Sequence, residues 1–376
     1  MRIEFIENPD FLDNADLRMA VNKKRIREKI LANLSNYGVQ WNEAEGKISV
    51  LNFRDTQAKL AEQTNPKREI YVEKVSKYIA KPEDINILKV KPYLIPVDQS
   101  AEHKRIWSYA TSCWSIPVTT GYGRRIRFFV FDEQNNKLIG IVGLADPVIG
   151  LETRDVKSIG WSKDQKLERL YNCMTAYVLG AIPPYNRILG GKLVALTVMY
   201  PKVRKWVYDK YKNSKSIITQ EQKKPYLVYI DTLGAFGKSS IYNRLLNWEF
   251  IGYTKGQSHI HITANGSWEL IKQVVPPEEF NTYKYGQGPN WKMRILRKGL
   301  HELGLSENMM SIGWQRGYYR CTLAENWQEY LRGDVKRVKW KNYEDDELVD
   351  YWKNRWVTPR LSELQAKLLS SVNFFL

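Results

Sequence analysis

Cysteine and histidine are scarce in this 376-residue chain, at 3 and 4 residues, and each scarcity removes a class of chemistry. Cys113, Cys173 and Cys321 stand far apart and are odd in number. They support neither a disulfide framework nor a cysteine zinc site, and they read as reduced, buried thiols. His259 and His261 fall two apart on a predicted strand and would share one face, but no third ligand stands nearby and no metal is assigned. No window approaches about 18 uninterrupted apolar residues, and the Met1–Asn8 stretch is acidic and short of apolar length. Membrane spanning and secretion are therefore not expected, and a cytoplasmic location is. Repeats and low-complexity segments are also missing, and with 43% hydrophobic and 12% aromatic residues the chain reads as globular throughout.

Acidic residues are short as well, 41 Asp and Glu against 58 Lys and Arg, which leaves a formal charge of +17. Such an excess favours a polyanionic partner, and nucleic acid is the first candidate because many aromatics accompany the charge and can stack on bases. The bland alternative is a solubilising surface. DNA is preferred to RNA as the partner, although charge does not separate the two.

Hydrophobic spacing predicts an α+β protein of three blocks. Leu17, Val21, Ile26, Ile30 and Leu34 recur at near-helical intervals from Asn14 to about Tyr37, and a second helical stretch runs from about Asp55 to Lys77. Pro82 and the Lys91-Pro92 step close a helical N-terminal domain over residues 1–91. Next, Ile126–Phe131 and Leu138–Leu144 flank Asp132–Lys137 as a hairpin, and a third apolar run, Met174–Ile182, stops at Pro183-Pro184. Gly190-Gly191 opens a long helical pattern to about Tyr211. Strand Tyr226–Ile230, helix Lys238–Trp248 and strand Phe250–Thr254 complete a core over residues 92–268. Residues 269–376 form a basic, aromatic C-terminal extension with a Gly286–Trp291 loop and helices near Trp291–Leu303 and Glu344–Arg355.

The order hairpin, strand, glycine loop, helix, strand, helix, strand resembles the mixed sheet of the GNAT acyltransferases, flanked by helices. In that fold, backbone amides of a loop entering a helix hold the pyrophosphate of acyl-CoA. Ala181–Lys192 resembles this loop, which makes Asn186, Arg187, Gly190, Gly191 and Lys192 the candidate cofactor-binding residues. Lys192 departs from the family's Gly or Ala, and either contacts a phosphate or fills the space the cofactor needs. The loop is otherwise a tight turn in a scaffold without cofactor, or a seat for a nucleic-acid phosphate. Thr232–Leu245 resembles the segment whose tyrosine protonates the leaving thiolate, which marks Tyr242, with neighbouring Asn243, as the candidate general acid. The plainer reading of Tyr242 is a ring packed on the sheet. Gly237-Lys238-Ser239-Ser240 lacks the first glycine of a Walker A loop, since Thr232 stands there, so a nucleotide triphosphatase is rejected and the serines are expected to cap a helix. Asp146, Glu152 and Asp155 do not have the spacing of a nuclease triad.

Three basic runs and Lys238 are the candidate nucleic-acid contacts: Arg124, Arg125 and Arg127; Lys202, Arg204 and Lys205, continuing to Lys210 and Lys212; and Lys292, Arg294, Arg297 and Lys298 beside Trp291.

Ile159–Ser162, Gly180–Asn186 with Leu189–Leu193, Ala235–Leu245, Ile251–Thr254 and Tyr285–Asn290 together resemble the signature segments of the DruA family of Druantia anti-phage systems, over roughly residues 90–335. The resemblance implies a defence component acting beside a large helicase-like partner, and it supplies no established reaction. Three functions stay open: a nucleic-acid-binding subunit, an acyl-CoA-dependent or related group transferase acting on nucleic acid or a partner protein, and a structural partner of the helicase.

Overall fold

The computed structural model describes residues 14–36, 38–50, 55, 68–114, 118, 121–216, 219–235, 237–254, 260–263, 266–284, 291–311 and 315–370. The chain divides into two compact units, residues 1–56 with 256–313 and residues 57–255 with 314–376. Three consecutive blocks were expected. The units interleave instead, because the second half of the smaller one is an excursion between two strands of the larger.

In the smaller unit the helix Asn14–Asn36 buries Ile26, Ile30 and Leu34, four apart on one stripe. A hairpin of β1 (Val39–Asn42) and β2 (Lys47–Val50) follows where only helix was expected. Helices Ser267–Lys272 and Trp291–Glu302 supply the facing surface with Ile271, Ile295, Leu296 and Leu300. Asn33 Nδ2 donates to Ser267 Oγ at 2.8 Å, and Lys23 pairs with Glu302 at 2.8 Å. The helices Ser267–Lys272 and Trp291–Glu302 therefore pack with the N-terminal helix. His261 lies in the short helix Ile260–Thr263, which replaces the expected strand. His259, the Tyr285–Asn290 motif and Met1–Asn8 lie outside the described residues.

The larger unit is a seven-stranded mixed sheet flanked by helices. Its strands are β3 (Pro92–Pro96), β4 (Tyr122–Asp132), β5 (Lys137–Asp146), β6 (Cys173–Ala181), β7 (Tyr229–Leu233), β8 (Trp248–Thr254) and β9 (Arg316–Thr322), in the order β3-β4-β5-β6-β7-β9-β8. The β4–β5 hairpin forms as expected, its strands apolar on both faces because both are covered. Ile126, Phe128 and Val130 join Val194, Val203 and Val207 in one core, whereas Phe129 and Phe131 join Ile106, Trp107 and Tyr109 in another. Each of these large side chains contributes roughly 1.5–3 kcal/mol by leaving water.

Among the described residues all strand pairs of this sheet are antiparallel except β6 with β7. That pair holds register for Cys173–Tyr229, Met174–Ile230 and Thr175–Asp231 only, after which β6 runs on to Ala181 beside β5. The helices Gly190–Thr197 and Pro201–Tyr211, split at Pro201, make the crossover between them. Two further expectations fail. Residues 240–244 form turns, not the helix placed over Lys238–Trp248. The C-terminal part also supplies β9, which enters the sheet between β7 and β8.

At Gly140 the neighbouring strand leaves no room for a side chain. A Cβ there would stand 2.1 Å from Gly180 O and 2.7 Å from Ala181 Cα, both backbone atoms that cannot yield without moving β6. Gly140→Ala is expected to destabilise the protein by about 3 kcal/mol, the upper range for overpacking, read as a lowered urea midpoint with an unchanged slope.

Candidate nucleic-acid interface

Where β6 and β7 part, the sheet carries a buried polar network that the sequence reading did not single out. Asp231, 2% exposed, accepts from the hydroxyls of Thr175 and, at 3.0 Å, Tyr318. Tyr318 and Tyr229 share a hydrogen bond at 2.8 Å, as do Tyr229 and Ser158. Arg154, fully buried on the irregular helical turn Thr153–Ile159, stands 2.8 Å from Asp155 and 3.9 Å from Asp231. Burial pushes the Asp231 carboxyl up, and the Arg154 guanidinium pulls it back down. Asp155 is further held by Lys166 at 3.1 Å, so this carboxylate serves ion pairing.

The two segments expected to hold cofactor and acid meet in the structure. Lys192 is 6% exposed, and its ammonium donates to the carbonyls of Ser240, Ile241 and Asn243 at 2.6, 2.9 and 3.0 Å. The same ammonium lies 4.2 Å from the centre of the Trp356 ring. Gly190 packs against the carbonyl of Tyr185, and Gly191 faces Ile241. Arg187 Nη1 donates to the carbonyl of Ser370, and Trp352 Nε1 donates to Leu189 O at 3.2 Å. Asn186 stands half-buried in the same loop. All eight residues of the Gly190–Thr197 helix are buried. The loop thus binds the chain's own C-terminal segment.

Tyr242 is buried and stacks on Trp248 at 4.7 Å. Burial pushes its phenol up to about 12. Asn243 accepts from Tyr319 OH at 3.1 Å through its side chain. Ser239 Oγ accepts from Ile241 N within the turn, so it caps no helix.

The basic candidates divide by what they touch. Arg124 bonds Asp146 at 2.8 Å and lies on the Tyr171 ring at 3.6 Å, while Arg127 donates to Tyr177 OH and covers Trp107. Arg125 is exposed, and its backbone meets Tyr211 OH. Lys202 pairs with Asp345 at 2.8 Å, and Arg204 donates to Lys341 O at 3.0 Å while lying over Trp340. Lys205 and Lys238 are exposed, the latter over the Phe250 ring. In the smaller unit Lys292 covers Trp268, Arg297 pairs with Glu307, Lys298 pairs with Glu279 and Glu302, and Arg294 is half-buried.

A groove of about 830 Å³ opens on the larger unit, walled by the segments 168–172, 221–226 and 330–340. Its cations are Arg169, Lys223, Lys224, Lys336 and Arg337, and its aromatics are Tyr226, Tyr330 and Trp340. Glu168 and Glu221 also line it, and both pair with Lys223, at 3.0 and 3.9 Å. Among the described residues, Arg169, Lys224, Lys336 and Arg337 face no carboxylate within ion-pair distance. Arg169 instead donates to Tyr330 OH at 3.2 Å and lies over its ring. None of these groove residues was among the sequence candidates. The Lys336-Arg-Val-Lys-Trp-Lys341 run carried the signal, dense charge around one indole.

Fold and site define an α+β protein with a cationic, aromatic-lined groove beside a mixed sheet. Among its described residues no three His, Cys, Asp or Glu cluster as a metal site, and no helix is long and apolar enough to cross a membrane. The profile described as Druantia protein DruA matches residues 44–333. A Druantia protein DruA of Escherichia coli (strain UMEA 4076-1) is 32% identical over 370 residues, covering 94% of this chain and 90% of that protein. The chain belongs to the DruA family. No solved structure matches it.

Burial, with Arg244, Arg355 and Arg360 nearby, pushes the Lys192 ammonium down to about 8 from 10.5. Between those values the unfolded chain binds more protons than the folded one, so this group's contribution to stability rises with pH across that window. Lys192→Met, which strips three carbonyls of their donor, is expected to lower stability by roughly 1–3 kcal/mol at pH 7. Urea midpoints of the two proteins should diverge further at pH 9.5.

Proposed function

We propose that the chain, a component of a bacterial anti-phage defence system by its family, binds nucleic acid there, and that a GNAT-like core carries the binding surface. The GNAT-like reading is supported by the sheet. Four antiparallel strands lead to one parallel step, bridged by helices, and the final strand enters between its two predecessors. The binding reading is carried by the groove, where four cations without a carboxylate partner among the described residues surround three aromatic rings. Cations hold phosphates, and rings accept base faces.

The alternative, acyl-CoA-dependent transfer with Tyr242 as acid, needs open space at the amides of the Leu189–Lys192 turn. Lys192, Arg187, Trp352 and Trp356 occupy that region with contacts internal to the chain. This geometry favours binding over transfer. A helicase-like protein remains the partner the family suggests.

Fluorescence anisotropy with labelled DNA should show micromolar or tighter binding. The plot of log K against log salt should have a slope of about −3 to −4, from the roughly 0.7 to 0.9 per phosphate expected for four contacts. Joint Lys336→Ala and Arg337→Ala substitution should halve that slope. Binding indifferent to salt, or a slope unmoved by the pair, refutes the groove as the interface. Heat on titrating acetyl-CoA that disappears in Gly190→Trp would restore the transferase reading.

A further inference from the structure

Shape and layering narrow the partner further than charge does. In the groove the exposed residues are the cations Lys224, Lys336 and Arg337 with Glu168, Glu221 and Gln222, whereas Tyr226 and Trp340 are half-buried and Tyr330 is 2% exposed. The exposed cations thus share the rim with Glu168 and Glu221, both of which pair with Lys223, and the rings lie deeper. The rings are fixed in place. Tyr226 stacks on Tyr208 at 5.4 Å with 12° between planes and meets Trp340 edge-on at 6.1 Å, and Trp340 is covered by Arg204 at 4.7 Å. Tyr330 carries Arg169 at 4.7 Å.

A duplex is read by convex elements, a helix or a ribbon that enters its groove, and it keeps base faces stacked out of reach. Here the surface is concave and its aromatic groups are recessed below the charges. Only a strand whose bases turn away from its phosphates places both at the right depth, phosphates on the rim and base faces toward the rings. We infer that the Arg169–Tyr226–Trp340–Arg337 groove is a binding site for single-stranded nucleic acid, holding the backbone by its rim cations and at least one base by its aromatic floor. This inference rests on the groove being the interface, and it adds the strand state.

The test compares a fluorescein-labelled fifteen-residue oligothymidylate, the matching oligouridylate and a fifteen-base-pair duplex on the full chain. The oligothymidylate is expected to bind at least tenfold more tightly than the duplex. Trp340→Leu and Tyr226→Leu should each weaken it by about five- to one-hundredfold with little change in salt slope, and Trp340→Phe, which keeps a ring, should restore most of the loss. Should the leucine variants fail to fold, photocrosslinking of a 5-iodouracil oligonucleotide to the wild type is expected to label Tyr226 or Trp340. Equal binding of oligouridylate supports the inference, because the chemistry used is common to both strands. Equal or tighter binding of duplex that is weakened by Lys336→Ala with Arg337→Ala but not by Trp340→Leu overturns the single-strand inference and leaves the groove reading intact. Absence of binding to all three ligands overturns both, as does binding that ignores the rim pair.

Discussion

The ammonium of Lys192 sits where three distant stretches of the larger unit meet, and much of the unit's architecture follows from keeping that charge supplied with acceptors. Residues 189–192 bring it out of the β6 crossover, residues 240–243 surround it with three carbonyls, and Trp356 closes it with an aromatic face. Leaving a buried ammonium partly satisfied is costly, so the three stretches form as a set or not at all. Gly190 and Gly191 allow the approach, the first because any Cβ would lie 2.5 Å from Tyr185 O. Positive charge from Arg244, Arg355 and Arg360 works against the arrangement, which makes the carbonyl ring indispensable.

That clamp also explains where local sequence misleads. Lys238–Trp248 has the composition of a helix, yet the carbonyls of Ser240, Ile241 and Asn243 converge on Lys192, which the parallel carbonyls of a helix do not do. Gly237, Arg244 and Asn247 adopt φ of +54°, +57° and +60°, which no helix admits. The β4–β5 hairpin and β6 were legible because their pattern is set by neighbours in sequence and by burial on both faces. β9 was not. Arg316-Gly-Tyr-Tyr-Arg-Cys-Thr322 reads as a polar, aromatic stretch until β7 and β8 stand on either side, burying Tyr318, Tyr319 and Cys321 completely. The mixed assembly of the smaller unit was hidden for the same reason, since its two halves are separated by six of the seven strands of the sheet.

The proposed site draws on the chain's charge but not on the basic runs named from the sequence. Net charge pointed to a polyanion, but the named cations near the sheet are largely engaged: Arg124 by Asp146 and Tyr171, Arg127 by Tyr177 and Trp107, Arg187 by Ser370, Lys202 by Asp345. A basic run in sequence says nothing of which side chains the fold will occupy with carbonyls, rings and carboxylates. The groove cations are different because their elements meet only after folding. Arg169 ends a helix, Lys224 precedes β7, and Lys336 and Arg337 follow β9 and its short helix.

Engaged and available cations do separate physical jobs in this chain. Arg154, buried against Asp231 and Asp155, secures the point where β6 and β7 part, since burial that would lower its pKa is outweighed by the carboxylates and it stays charged. Lys192 secures the start of the crossover that joins β6 to β7. Both are buried, so neither presents its cationic head to a ligand at the surface. The excess of +17 is therefore felt mainly through residues such as Lys224, Lys336 and Arg337, which are exposed and lack a carboxylate partner among the described residues. On the proposed reading a charge excess becomes a binding surface where folding leaves cations unneutralised beside rings, as it does in the groove flanked by β7 and the 330–340 segment.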